Sequence, residues 1–181
     1  GHATGHAPQL LGQLAQGLHR GAATGELVDH LEAEAGLQAN GDLDAAVRWA
    51  QAAGLSPDDV PGRWDAYTYA IYVRALLAQG RLRDAERLLA TMEGSAERSQ
   101  RLRSLITVYL LQALACRASG QEKQALTRVE GALRLAAPQD YRRAFLDEGP
   151  PLFDLLPQIR HIAPAFVDSL LQASPQGHPA V

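Results

Sequence analysis

Three glycines carry the strongest constraint on this chain. Gly41, Gly80 and Gly120 stand 39 and 40 residues apart, each between two runs of apolar residues at helical spacing. Four positions before each glycine sit Leu37, Leu76 and Cys116, and five positions after it Ala46, Ala85 and Ala125. Nine after come Ala50, Leu89 and Val129, and twelve after come Ala53, Met92 and Ala132. A glycine ends a helix because it alone enters the left-handed conformation without a Cβ clash. A methyl side chain at the fifth position lets two antiparallel helices cross closely. A pair of helices built this way cannot bury its apolar face alone, so successive pairs have to stack. The frame therefore predicts an all-α helix-pair solenoid.

The frame divides the chain into three helical hairpins over residues 26–54, 63–94 and 99–137. In the first, Leu27, Leu31 and Leu37 precede the Asn40-Gly41 stop, and Asp42 or Asp44 suits the start of the return helix. Residues 55–62 hold Pro57, Pro61 and Gly62 and read as a connector. The second hairpin pairs Tyr69, Tyr72, Val73 and Leu76 with Leu82, Ala85, Leu88, Leu89 and Met92, and Glu93-Gly94-Ser95 is expected to close it. The third places Leu102, Leu105, Ile106, Tyr109, Ala113 and Cys116 on one stripe. Its return helix carries Ala125, Val129, Ala132, Leu133 and Ala136 and stops before Pro138. Residues 138–181 predict short capping helices and a loose tail, with Pro150 and Pro151 in a helical first turn. Residues 1–25 read as a tag remnant with one weak helix. The chain does not start with Met, and Gly1-His2 suggests a piece excised from a longer protein.

Composition excludes more than it selects. At 181 residues and 46% apolar, the chain can bury a core. A net charge of −3 gives no general pull towards nucleic acid or a membrane surface. Charge is unevenly placed: residues 63–143 hold 14 basic and 8 acidic groups, whereas residues 1–62 hold 2 and 8. Solvated helix faces explain such blocks more readily than partner surfaces do. The longest apolar run, residues 105–116, is interrupted by Gln112 and falls short of the ~20 residues of a membrane span. Cys116 is the only cysteine, which rules out an internal disulfide and suits a reducing compartment, the cytoplasm.

Catalytic constellations are not evident. Of the six histidines only His2 and His6 share helical ligand spacing, and they lie in the Gly-rich start, so no metal is expected. Neither a Gly-x-Ser-x-Gly elbow nor a phosphate loop is present, and Lys123 is the single lysine. Asp147-Glu148 reads as a helix-terminus cap rather than as a catalytic pair. Trp49 and Trp64 read as packing residues. The expectation is a protein that is not an enzyme and has no cofactor.

The glycine-centred frame resembles the tetratricopeptide repeat, although its period exceeds the usual ~34 residues and His30 stands where Tyr69 and Tyr109 stand. Three strings narrow the resemblance: Leu55-Ser56-Pro57-Asp58-Asp59, Leu77-Ala78-Gln79-Gly80-Arg81-Leu82, and Phe145-Leu146-Asp147-Glu148-Gly149-Pro150-Pro151. Together they resemble the C-terminal sensor region of the MalT-like transcriptional regulators, large ATP-dependent members of the LuxR family. The resemblance spans residues 26–173. It implies a bacterial, non-catalytic regulatory module that normally stands between a signal-transduction ATPase and a helix-turn-helix DNA-binding domain. Neither of these is encoded in the chain, so the fragment itself is not expected to bind DNA. In the family such a region is similar to a receptor for a small sugar inducer that governs oligomerisation, which makes a homo-oligomer an expectation too.

The first helix of each tetratricopeptide pair lines the concave face. Counting back from each glycine puts Gln38, Tyr67, Arg74, Thr107 and Arg117 on that face, with Leu110 and Leu114 between them. An aromatic ring, two guanidiniums and neutral polar groups suit an anionic or polyhydroxylated effector. They suit equally an acidic peptide bound by a constitutive protein-interaction scaffold, or a neighbouring domain.

Overall fold

In the computed structural model the described residues are 43–61 and 66–173. The chain divides into two units, Gly1–Ala53 and Gly54–Val181. In the first unit the described element is α1 (Leu43–Ala52). The expected first helix of hairpin one, Gln38, the 1–25 segment and the tail beyond residue 173 lie outside the described residues.

The second unit holds α2 (Ala66–Ala78), α3 (Leu82–Arg98), α4 (Leu102–Ala118) and α5 (Glu122–Ala136). They are followed by a 3-10 turn (Ala137–Gln139), α6 (Arg143–Leu146), α7 (Pro150–Phe153), a 3-10 segment (Leu156–Ile162) and α8 (Pro164–Ala173). The described elements are all helical, and those of the second unit form a tetratricopeptide-like stack.

The turns behave as the glycine frame requires. Gly80 and Gly120 have φ of +71° and +72°. The Gly80 amide donates to the Leu77 carbonyl (3.0 Å) and the Arg81 amide to the Leu76 carbonyl (2.9 Å). The Gly120 amide donates to Arg117 and the Gln121 amide to Cys116 in the same pattern. Such paired bonds occupy carbonyls that the helix end leaves unpaired. Leu76 and Cys116, four before each glycine, thus serve the turn through their backbones as well as the core through their side chains. The alanines five after the turn, Ala85 and Ala125, are fully buried.

Two departures are informative. The return helix of the second hairpin does not close at Glu93-Gly94-Ser95 but runs to Arg98, with Gly94 inside it. The chain turns instead at Gln100, which takes φ +51° and makes the same bond pair: its amide to Glu97 and that of Arg101 to Ala96 (both 3.0 Å). A left-handed glutamine is strained, so residue type gave no warning of this turn. Secondly, α4 has no single buried stripe. Ile106, Val108, Leu110, Leu111, Gln112, Ala113 and Ala115 are all buried. The reason is position: α4 packs against α2, α3 and α5, and also meets α6 and α7. An inner helix with neighbours on most sides is apolar all round.

The C-terminal segment packs into the core of the last helix pair. Phe145, Leu152, Leu155, Leu156, Val167 and Leu170 cluster with Ile106, Leu110, Val129 and Leu133 of α4 and α5. Phe145 and Phe166 meet edge to face, with centroids 5.6 Å apart and planes at 78°. Pro150 and Pro151 open α7, where missing amide hydrogens cost nothing.

Candidate site on the α2 and α4 face

The segment following α5 runs along α4. At one end the Arg103 guanidinium stacks on the Tyr141 ring at 4.8 Å. At the other end Arg117 donates to the Pro151 carbonyl and to Asp154 Oδ2 (2.8 Å). Arg103, Thr107, Leu110, Leu114 and Arg117 share one face of α4 by their spacing of three or four, and Leu110 and Leu114 of this set pack in one cluster with the segment.

From the middle of this segment Glu148 reaches back to α2. Its Oε1 accepts from Arg74 Nη2 at 2.6 Å, and its Oε2 accepts from Arg74 Nε at 3.2 Å. The two residues are 74 positions apart. Only 2% of the Glu148 side chain is exposed, against 25% for Arg74. Burial pushes the Glu148 carboxyl above the usual carboxylate range, Asp147 adds to this, and Arg74 opposes it. Of the expected cap pair, Asp147 ends α6, whereas the Glu148 side chain turns to Arg74 instead. The adjacent Asp147 pairs with Arg143 (2.6 Å) one turn back.

The expected groove residues fall into different roles. Arg74 and Arg117 are brought together in function, because both hold the same stretch, 148–154, by its acidic groups and a carbonyl. Leu110 is fully buried and is packing, not groove lining, because the C-terminal segment covers it. Leu114 is partly buried against the same cluster. The Thr107 hydroxyl donates to the Arg103 carbonyl of its own helix (3.2 Å). Tyr67, near the start of α2, is 49% exposed.

A second polar group was not read from the sequence. Glu93 on α3 accepts from Gln112 Nε2 on α4 (2.7 Å) and from Arg128 Nη1 on α5 (3.0 Å). Arg128 also lies 5.7 Å from the Tyr109 ring, which rests on Gly131. Burial raises the Tyr109 hydroxyl pKa, with Glu93 and Glu97 adding to the effect. Burial likewise raises the Cys116 thiol, which disfavours a reactive thiolate. Gln112 inside an apolar run was the available signal: a buried amide needs a partner. This cluster ties α3, α4 and α5 together.

Elsewhere, a cleft of about 420 Å³ opens between residues 137–142 and the start of α8, with Phe166 and Ser169 on its wall. On its rim Arg142 and Asp140 grip each other at 2.6 and 2.8 Å. Among the described residues no cluster of His, Cys, Asp and Glu has the makings of a metal site. No helix there is long and apolar enough to cross a membrane.

No curated protein matches the chain, and no solved structure matches it. A family model described as the MalT-like TPR region matches residues 6–161. That span includes α1 to α7 and both arginines that hold the 148–154 stretch. The chain thus belongs to the MalT-like TPR family.

Proposed function

We propose that the chain is the signal-sensing domain of a MalT-like, LuxR-family transcriptional regulator. In this reading it works in the cytoplasm, without catalysing a reaction and without binding DNA itself. It takes up a small effector and passes the signal to the ATPase and DNA-binding domains of its parent chain, with self-association as the form of the output. The observation that supports this is the family match over a stack whose α2 and α4 face presents two arginines, Arg74 and Arg117.

A second reading is a scaffold of the same fold that binds an acidic peptide. It is favoured by the fact that both arginines already hold acidic groups, Glu148 and Asp154. Thermal-shift screening of the purified chain against sugars and metabolites, run beside capture from lysate, separates the two. One small molecule raising the midpoint by several degrees supports sensing, by mass action on the folded state. Capture of an acidic partner with no small-molecule shift supports the scaffold. Duplex DNA binding with a steep salt dependence would contradict both.

A further inference from the structure

We propose that Arg74 is a carboxylate seat of this domain, that Glu148 fills it in cis, and that a carboxylate-bearing small ligand enters by exchange with the Glu148 side chain. This deepens the sensing reading above and rests on it for the idea that the α2 and α4 face receives a ligand.

Three observations support exchange at this point. Glu148 meets Arg74 through both carboxylate oxygens, the fork geometry by which a guanidinium recognises any carboxylate. The pair is open on one side only: Arg74 keeps a quarter of its side chain exposed, while Glu148 is enclosed. An incoming anion therefore approaches over Arg74. Burial also opposes ionisation of Glu148 more than Arg74 favours it, so the enclosed position disfavours the charged side chain. A ligand that carries its own carboxylate lets Glu148 leave that buried position.

The backbone on both sides of Glu148 is anchored, so exchange at Arg74 falls to the side chain alone. Phe145 and Leu152, on either side of Glu148, are fully buried and fix the chain there. Gly149, the next residue, has φ +71° and ψ −165°, a conformation open almost only to glycine. A Cβ there would meet nothing within 4 Å, so space does not account for the glycine and the backbone angle does. Arg117 holds the far side through Pro151 and Asp154. The Glu148 carboxylate thus stands between two anchored points of the chain.

The test is an NMR titration of the full chain with glutarate, read at the Arg74 Nε–H signal and the Gly149 amide. The wild type is expected to show saturable shifts at both. Glu148→Ala, which removes the resident carboxylate, should saturate at a glutarate concentration at least about tenfold lower, as removing an internal competitor requires. Arg74→Gln should lose the saturable response. Should Glu148→Ala fail to fold, Glu148→Gln carries the same comparison at constant volume. Equal saturation in the wild type and the Glu148 variant, or a retained response in Arg74→Gln, overturns the proposal. That outcome leaves the sensing reading to be judged by the metabolite and lysate screens, which do not depend on Arg74.

Discussion

Glu148 and Arg74 show how unevenly the two halves of an ion pair contribute to stability. Removing Arg74 leaves a carboxylate enclosed without its partner, and breaking a buried pair from one side costs about 3–5 kcal/mol. Arg74→Ala is expected near the lower end of that range by denaturant unfolding, since Arg74 itself is partly exposed. Glu148→Gln, which keeps the volume and removes the charge, should cost less. The pH dependence follows from the raised folded-state pKa of Glu148. A carboxyl raised on folding binds its proton more tightly in the native state, so its contribution favours folding at low pH. That contribution is lost as pH rises through the folded value. The wild type should therefore lose stability relative to Glu148→Gln as pH climbs out of the usual carboxylate range, and unfolding midpoints measured from pH 4 to 8 would show whether the two curves diverge in that direction.

Among the elements, the turns divide into those the sequence announced and one it concealed. Gly80 and Gly120 adopt positive φ with free space around a would-be Cβ, so only backbone strain opposes a side chain there. Gly120→Ala should cost about 1 kcal/mol for that reason. Gln100 makes the same turn with a side chain that pays the strain, so Gln100→Gly is expected to raise stability, by about 0.5–1 kcal/mol. Opposite signs for these two substitutions in thermal unfolding check the turn assignment. The helix crossings were legible because they demand a small residue at a fixed distance from the turn. Ala85 and Ala125 meet that demand with no exposed surface, and Ala125→Leu should cost about 1–3 kcal/mol or more by overpacking. What local spacing could not give was the number of neighbours around α4. Periodicity reports which side of a helix is apolar, and it misreads a helix surrounded by α2, α3, α5 and the C-terminal segment.

Across the whole second unit, the C-terminal segment shares one core with α4 and α5. Its string from Phe145 to Pro151 was visible as distinctive, but its partners were not, because no sequence spacing relates Glu148 to a residue 74 positions earlier. The same burial makes residues 143–170 structural: Phe145 lies fully enclosed among α4, α5 and α8 side chains. Phe145→Ala should destabilise this unit by about 3–5 kcal/mol. Hydrogen exchange should then show α4 and α5 losing protection together with α8, since they share one cluster. Arg74 and Arg117 were legible as polar residues on first helices. Their partners in the 148–154 stretch were not, because no local spacing relates them.

The claim on which the rest depends is that the Arg74–Glu148 pair couples the C-terminal segment to α2. A double-mutant cycle with Arg74→Ala, Glu148→Gln and the combined variant measures that coupling directly. The predicted result is a coupling energy of about 2 kcal/mol. Additive effects, with coupling under about 0.5 kcal/mol, would contradict it.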